Sequence, residues 1–218
     1  MNNAIDLTGY KIVFDKDGVV TECTPPKIIE MYKVMGQRDP RWSRHLLGNS
    51  ATSTIGAYGC LVTCMAIVAD ARPDEMNDAL RASGGFQPEP RGGYMAYSGF
   101  STSFEAASRA CGKRRIKFSY ISDKFSASTK KPAGWVERLC RWMQDGKPAI
   151  IEVDMNIKTT AQEQHFVVGL PGSSAAGVDI IDPWDKDGDA YGRRQNLLPE
   201  YGGSIDTAVW RYVLYEVV

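Results

Sequence analysis

Short apolar runs split by Asp17-Gly18 open the chain: "YKIVFDKDGVVTEC" alternates as a β-hairpin does. "TPP" at 24–26 ends it, because proline favours extended or turn backbone. Residues 1–26 therefore read as an N-terminal hairpin extension, and 27–218 as the main domain. "KIIEMYKVM" reads as a short helix or strand, and the Gly-, Ser- and Thr-rich stretch over 38–59 as a long loop. "CLVTCMAIVADAR" then carries apolar residues almost all round, which predicts a buried helix. "SFEAASRACGK" predicts a second helix closed by Gly112. In "AGWVERLCRWMQDG" Trp135, Leu139, Trp142 and Met143 share one helical face, and Gly146 stops it. "RRIKFSYI", "PAIIEVDM", "HFVVGL", "VDIIDPW" and "AVWRYVLYEVV" read as strands. Helices come first and a mostly antiparallel sheet follows, so the expected class is α+β with segregated halves.

Composition narrows the function. The 218 residues suit one ordinary domain, with 43% hydrophobic and 24% charged positions. Lys plus Arg equals Asp plus Glu at 26 each, so the basic excess of a nucleic-acid binder is missing. The local patch "GKRRIK" at 112–117 reads as a solvated strand start in preference to a phosphate site. The opening residues lack a basic region followed by a long apolar run, and no run reaches membrane-spanning length. The cysteines, Cys23, Cys60, Cys64, Cys111 and Cys140, are odd in number and scattered, as free thiols in a reducing compartment would be. The expected location is cytoplasmic or phage-associated, with no membrane and no nucleic-acid partner.

The chemistry centres on Cys60, which follows Tyr58-Gly59 where the loop meets the buried helix. A thiol at a helix N-terminus meets unpaired backbone N–H groups and the positive end of the dipole, which favour the reactive thiolate. Cys64 lies one turn deeper, and no further Cys/His ligands accompany the pair, so zinc is not expected. His165 opens a strand after the polar loop "TTAQEQ", where an imidazole can serve as a general base. Asp182 ends the strand "VDIID" just before proline. Counting back from the turn of the "HFVVGL-PGSSAAG-VDIIDP" hairpin brings His165 and Asp182 to similar depth, so the carboxylate can orient the imidazole.

The blocks "QRDPRWSRHLLGNS…TIGAYGC…TCMAIV", "DGKPAIIEVDM", "QHFVVGL" and "VDIIDPW" stand in the order of the C39-like family of papain-fold cysteine peptidases, and over roughly residues 34–184 the chain resembles that family. The resemblance implies a papain-like fold, with the nucleophile helix packed on a mostly antiparallel sheet. It implies Cys60 as nucleophile, His165 as general base and Asp182 as the residue that orients it. Asp39-Pro40 and Trp42 match the opening motif, whose role looks structural. The family has Gly-Pro after its cysteine where this chain has Leu61-Val62, and a small residue where Cys64 stands, so Cys64 reads as core packing. In papain-like enzymes a glutamine side chain and the nucleophile's own N–H hold the oxyanion. Gln37 is the candidate, with Asn49 as the fallback and anchoring of "RDPRW" as the alternative for Gln37.

The expected function is a cysteine peptidase that hydrolyses a peptide or isopeptide amide, with peptide, protein or peptidoglycan-peptide substrates and no cofactor. The alternatives are a cell-wall amidase or endopeptidase of a phage or bacterial lysis system, or a catalytically silent papain-fold binding or virion module, which Leu61-Val62 favours. Asp185, Asp187 and Asp189 alternate as in a calcium loop. The glycine falls between the second and third acids and Asn196 stands where the loop's glutamate belongs, so a solvated turn is favoured. His45 lies in the loop before Cys60 as a possible cleft residue. "SGGFQPEPRGGYMAYSGF" reads as a cleft wall or lid.

Overall fold

The structure is a computed structural model that describes residues 11–14, 18–24, 31–126, 128–155, 163–174, 177–184, 191–198 and 200–218. The chain divides into two units, Met1–Met31 and Tyr32–Val218. In the first, β1 (Lys11–Phe14) and β2 (Val20–Thr24) form an antiparallel pair, with a register shift between Val13 and Phe14.

The second unit is built on a six-stranded antiparallel sheet of order β3-β8-β4-β5-β6-β7. Its strands are β3 (Ile116–Ile121), β4 (Ala149–Asp154), β5 (Gln164–Gly169), β6 (Asp179–Asp182), β7 (Arg193–Asn196) and β8 (Val209–Val217). The helices are α1 (Ile55–Tyr58), α2 (Cys60–Ala69), α3 (Pro73–Ala82), α4 (Thr102–Cys111), α5 (Trp135–Gln144) and α6 (Ile205–Ala208). The sequence anticipates α2, α4, α5 and every long strand. The stretch Tyr32–Gly36 forms neither helix nor strand, and α1 interrupts the expected loop.

The helices are not segregated to one side, which corrects the expectation. Residues Leu61–Ala69 of α2 are all buried, and they share a core with Ile150, Phe166, Val168, Ile181 and Val213 on one face of the sheet. On the other face, Trp135, Leu139 and Met143 of α5 pack with Ile151, Val153, Val167, Ile180 and Tyr212. The central strands are therefore covered twice. That explains why β4 reads as an almost unbroken apolar run instead of an alternating one. Trp142, expected on the buried face of α5, is half-buried and donates its indole N–H to Pro148 O at 3.0 Å.

The C-terminal end of α2 accounts for two features of the sequence. Arg114 lays its guanidinium on the carbonyls of Ile67 (3.4 Å) and Val68 (3.3 Å), satisfying groups that a helix end leaves unpaired. The "GKRRIK" patch is thus partly a cap. Gly112 does close α4, but at φ −79 it is not in the left-handed region. A Cβ there would lie 2.7 Å from Ser108 O and 2.9 Å from Ala69 O, so glycine is needed for close approach between two helix ends. Gly112→Ala is expected to lower stability to urea by about 1–3 kcal/mol through overpacking. An unchanged unfolding midpoint would show that the two helix ends can separate freely.

Candidate active site

The site begins at the α1–α2 junction. Thr54 caps α1 through its side chain, Gly59 separates the helices, and Cys60 is the first residue of α2. Gly59 has an ordinary φ of −88, but a Cβ there would meet Ile55 O at 2.5 Å and Ile55 Cα at 2.7 Å. The missing side chain lets the two helices abut. Cys60 is half-buried, whereas Cys64 is enclosed and donates its thiol to Phe166 O at 3.3 Å. Burial, reinforced by Cys60 and Asp182, pushes the Cys64 thiol well above its ordinary pKa. An inert neutral thiol joining α2 to β5 fits the packing role expected of it.

His165 and Asp182 stand on adjacent strands. Pairing of β5 with β6 sets Val168 opposite Ile181 and Gly169 opposite Ile180. Continuing that register sets Asp182 opposite Val167, diagonal to His165 and on its face of the sheet. His165 Nε2 and Asp182 Oδ1 lie 2.8 Å apart, with the side chains 0% and 1% exposed. Asp182 also accepts from Trp184 N (2.9 Å), from Gln195 Nε2 (3.0 Å) and from the Tyr201 hydroxyl. With these donors already converging on the carboxylate oxygens, the hydrogen between Asp182 and the ring is assigned to Nε2. The neutral imidazole then has its lone pair on Nδ1, which is buried and without a hydrogen-bond partner among the described residues.

Burial alone would lower the His165 pKa. The hydrogen bond to Asp182, then the hydrogen-bonding and charge influence of Cys60, overcome it and push the imidazole up to about 9. Burial, together with the negative charge of Asp182, also drives the Tyr201 hydroxyl far above the usual phenol range, so it stays a donor.

Gln37 joins the two halves of this arrangement. Its backbone N–H donates to Pro183 O at 2.8 Å, next to Asp182, and its side-chain Nε2 donates to Gly56 O at 3.2 Å in α1. Its Oε1 is buried with no partner among the described residues. Asn49 is exposed and is engaged elsewhere, giving its Nδ2 to Gln87 O at 2.9 Å. Asp39 and Trp42 are buried and structural: Asp39 takes Arg41 at 2.6 Å, and the Trp42 indole donates to Gly36 O at 2.8 Å. His45 is exposed, and its backbone fastens the loop through Trp42 O and Ile55 N. The glycine-rich loop before α4 is strapped to the loop before Cys60. Asn49 N donates to Gly92 O at 2.9 Å, and Ala51 N to Glu89 Oε1 at 2.8 Å. Asp185, Asp187 and Asp189 lie outside the described residues.

Gln195 and Tyr201 are the site residues that sequence reasoning misses. Gln195 sits in the polar edge strand β7 and Tyr201 follows a short turn, so neither carries a periodic or motif signal.

No family model matches the chain, and no curated protein matches it. Among solved structures, a protein from Bacillus anthracis provisionally assigned as a C39-like peptidase aligns over 84% of this chain and 96% of its own, at 13% identity and a TM-score of 0.36. The reading of the site therefore rests on this chain's own residues and geometry. No helix among the described residues is long and apolar enough to cross a membrane.

The raised His165 pKa has a linked consequence for stability. A group whose pKa is higher in the folded state contributes stability that is complete below its unfolded value and is lost as pH rises through the folded value. Urea unfolding should therefore show stability falling from about pH 6.5 toward about pH 8, below the range where buried thiols titrate. His165→Gln should flatten this fall. An equal slope in both proteins would contradict the charged imidazole.

Proposed function

We propose that this chain is a papain-like thiol hydrolase that cleaves a peptide or isopeptide amide, as its resemblance to C39-like peptidases implies. The observation that carries the proposal is the enclosed His165–Asp182 pair at 2.8 Å, with Nδ1 unpaired and under the influence of Cys60. Nδ1 of His165 takes the Cys60 proton, and Asp182 stabilises the imidazolium, in line with the raised pKa of the ring. The thiolate attacks the amide carbonyl. The backbone N–H of Cys60, at the start of α2, is the first oxyanion donor, and the Gln37 amide is the second. His165 then protonates the leaving amine, and water, activated by the same ring, hydrolyses the thioester. Gln37 is preferred over Asn49 because its hydrogen bonds lie beside Asp182 and in α1, whereas those of Asn49 lie in a surface loop.

The test is turnover of casein and of peptidoglycan in parallel, with iodoacetamide labelling mapped to individual cysteines. Cys60 is expected to label fastest, and Cys60→Ala to abolish turnover. His165→Ala should reduce turnover by about 10²–10⁴-fold, the usual contribution of a positioned base. Cleavage of peptidoglycan but not casein would assign a wall amidase or endopeptidase. Slow, uniform labelling of all thiols together with no turnover would contradict the enzyme reading.

A further inference from the structure

Asp182 divides its hydrogen bonds between its two oxygens. Oδ1 takes His165 Nε2 at 2.8 Å and Trp184 N at 2.9 Å. Oδ2 takes Gln195 Nε2 at 3.0 Å and the Tyr201 hydroxyl. The Trp184 contact is local, two residues on in the chain. The Oδ2 donors come from further away, Gln195 on β7 and Tyr201 beyond the end of that strand. They hold the oxygen that the imidazole does not use. A carboxylate without them could turn about χ2 and exchange its oxygens, and the imidazole would lose a fixed partner.

Tyr201 is placed differently from two other buried tyrosines. Tyr212 and Tyr215 also donate their hydroxyls, but to neutral acceptors, Trp135 O at 2.9 Å and Phe100 O at 2.8 Å. Tyr201 gives its hydroxyl to a carboxylate, and such a charge-assisted bond is roughly twice as strong as a neutral one. The Tyr201 ring is enclosed with Val178, Ile180 and Leu197, and it stands 6.0 Å from the His165 ring at a tilt of 36°. Its backbone N–H donates to Leu197 O at 3.0 Å. Gly202 follows at φ +152, and a Cβ there would meet Thr207 Oγ1 at 2.9 Å, so the chain after Tyr201 runs close against α6. Gln195 is half-buried, so water can replace its amide, whereas Tyr201 is 1% exposed and its hydroxyl has no such substitute.

The bond from Tyr201 is strongest when Asp182 presents its full charge, which is when the ring beside it is neutral. Protonation of the ring draws that charge toward Oδ1 and weakens the bond. Tyr201 therefore favours the neutral imidazole and opposes the pull of Asp182 on the ring proton. Among the described residues, the other titratable groups acting on the pair are Cys60 and Cys64 of α2, while Glu200 and Arg193 act on Tyr201 in opposite directions.

We infer that Tyr201, assisted by Gln195, is a positioning residue of the site: it pins Oδ2 so that Oδ1 faces His165, and it moderates the charge that Asp182 presents to the ring. The inference rests on the thiol-hydrolase reading and deepens it by naming the residue through which the base is set.

The experiment is an NMR titration of the imidazole Cε1–H resonances. The chain has two histidines, so His165 is followed beside the exposed His45, which serves as an internal control. The titrations are made in a Cys60→Ala background, where no thiol is coupled to the ring, and folding is verified by circular dichroism. Tyr201→Phe is expected to raise the His165 midpoint by about one pH unit, a tenfold higher proton affinity. Gln195→Leu should raise it by less, and it carries the comparison if Tyr201→Phe does not fold. Tyr212→Phe, which also loses a buried hydroxyl, should leave the midpoint in place. With Cys60 restored, the pH profile of its alkylation by iodoacetamide should move to lower pH in Tyr201→Phe and not in Tyr212→Phe, because a ring that holds its proton more tightly stabilises the thiolate. If His165 titrates alike in all these variants and Cys60 still labels selectively, Tyr201 only packs: the inference is overturned and the hydrolase reading stands. If Cys60 does not label selectively in the unaltered chain, both are overturned.

Discussion

A carboxylate shut away from water must be surrounded by donors, and that requirement on Asp182 organises this half of the molecule. Its partners come from four separate places in the chain: His165 on β5, Trp184 just after β6, Gln195 on β7 and Tyr201 beyond it. Each can reach the carboxylate only if the strands keep their register. A one-residue slip between β5 and β6 would turn His165 and Asp182 to opposite faces and break the pair inside the protein. The pair therefore specifies the sheet while the sheet holds the pair.

The same constraint reaches the helices. Gln37 bonds to Pro183 at the end of β6 and to Gly56 in α1, so the loop that delivers Cys60 is tied to the strand that delivers Asp182. Cys64 makes a second tie, from α2 to β5. Between them these contacts fix the approach of α2 to the start of β5, where His165 sits. On the proposed reading, this is how a nucleophile and a base 105 positions apart (165 − 60) share one site. Leu61 and Val62 are buried and pack in the α2 core, and Cys60 still stands at the helix start with them in place.

Much of this is legible in the residues themselves. Helix α2 announces itself because it is apolar all round, and hairpin counting alone brings His165 near Asp182. What is not legible has physical reasons. The strand β7 reads Arg-Arg-Gln-Asn, an edge strand with no apolar alternation, so neither it nor Gln195 is visible in advance. Tyr201 is an ordinary aromatic until the fold directs its hydroxyl to Asp182. Helix α3 is mostly polar, its buried apolar side chains being Pro73, Met76 and Leu80, and it is recognisable only once it packs. Element order suggests helices on one side of the sheet. The run Ala149–Val153, apolar except for Glu152 and buried throughout, argues otherwise, because a strand without polar alternation is covered on both faces.

The central claim is that the His165 ring gives its Nε2–H to Asp182 and turns Nδ1 to Cys60. Nitrogen-15 NMR of the imidazole, recorded before and after alkylation of Cys60, tests it directly. The account predicts that Nε2 carries its proton in both states and that the Nδ1 resonance moves when Cys60 is alkylated. A proton on Nδ1 of the neutral ring, with no response to alkylation, would contradict it.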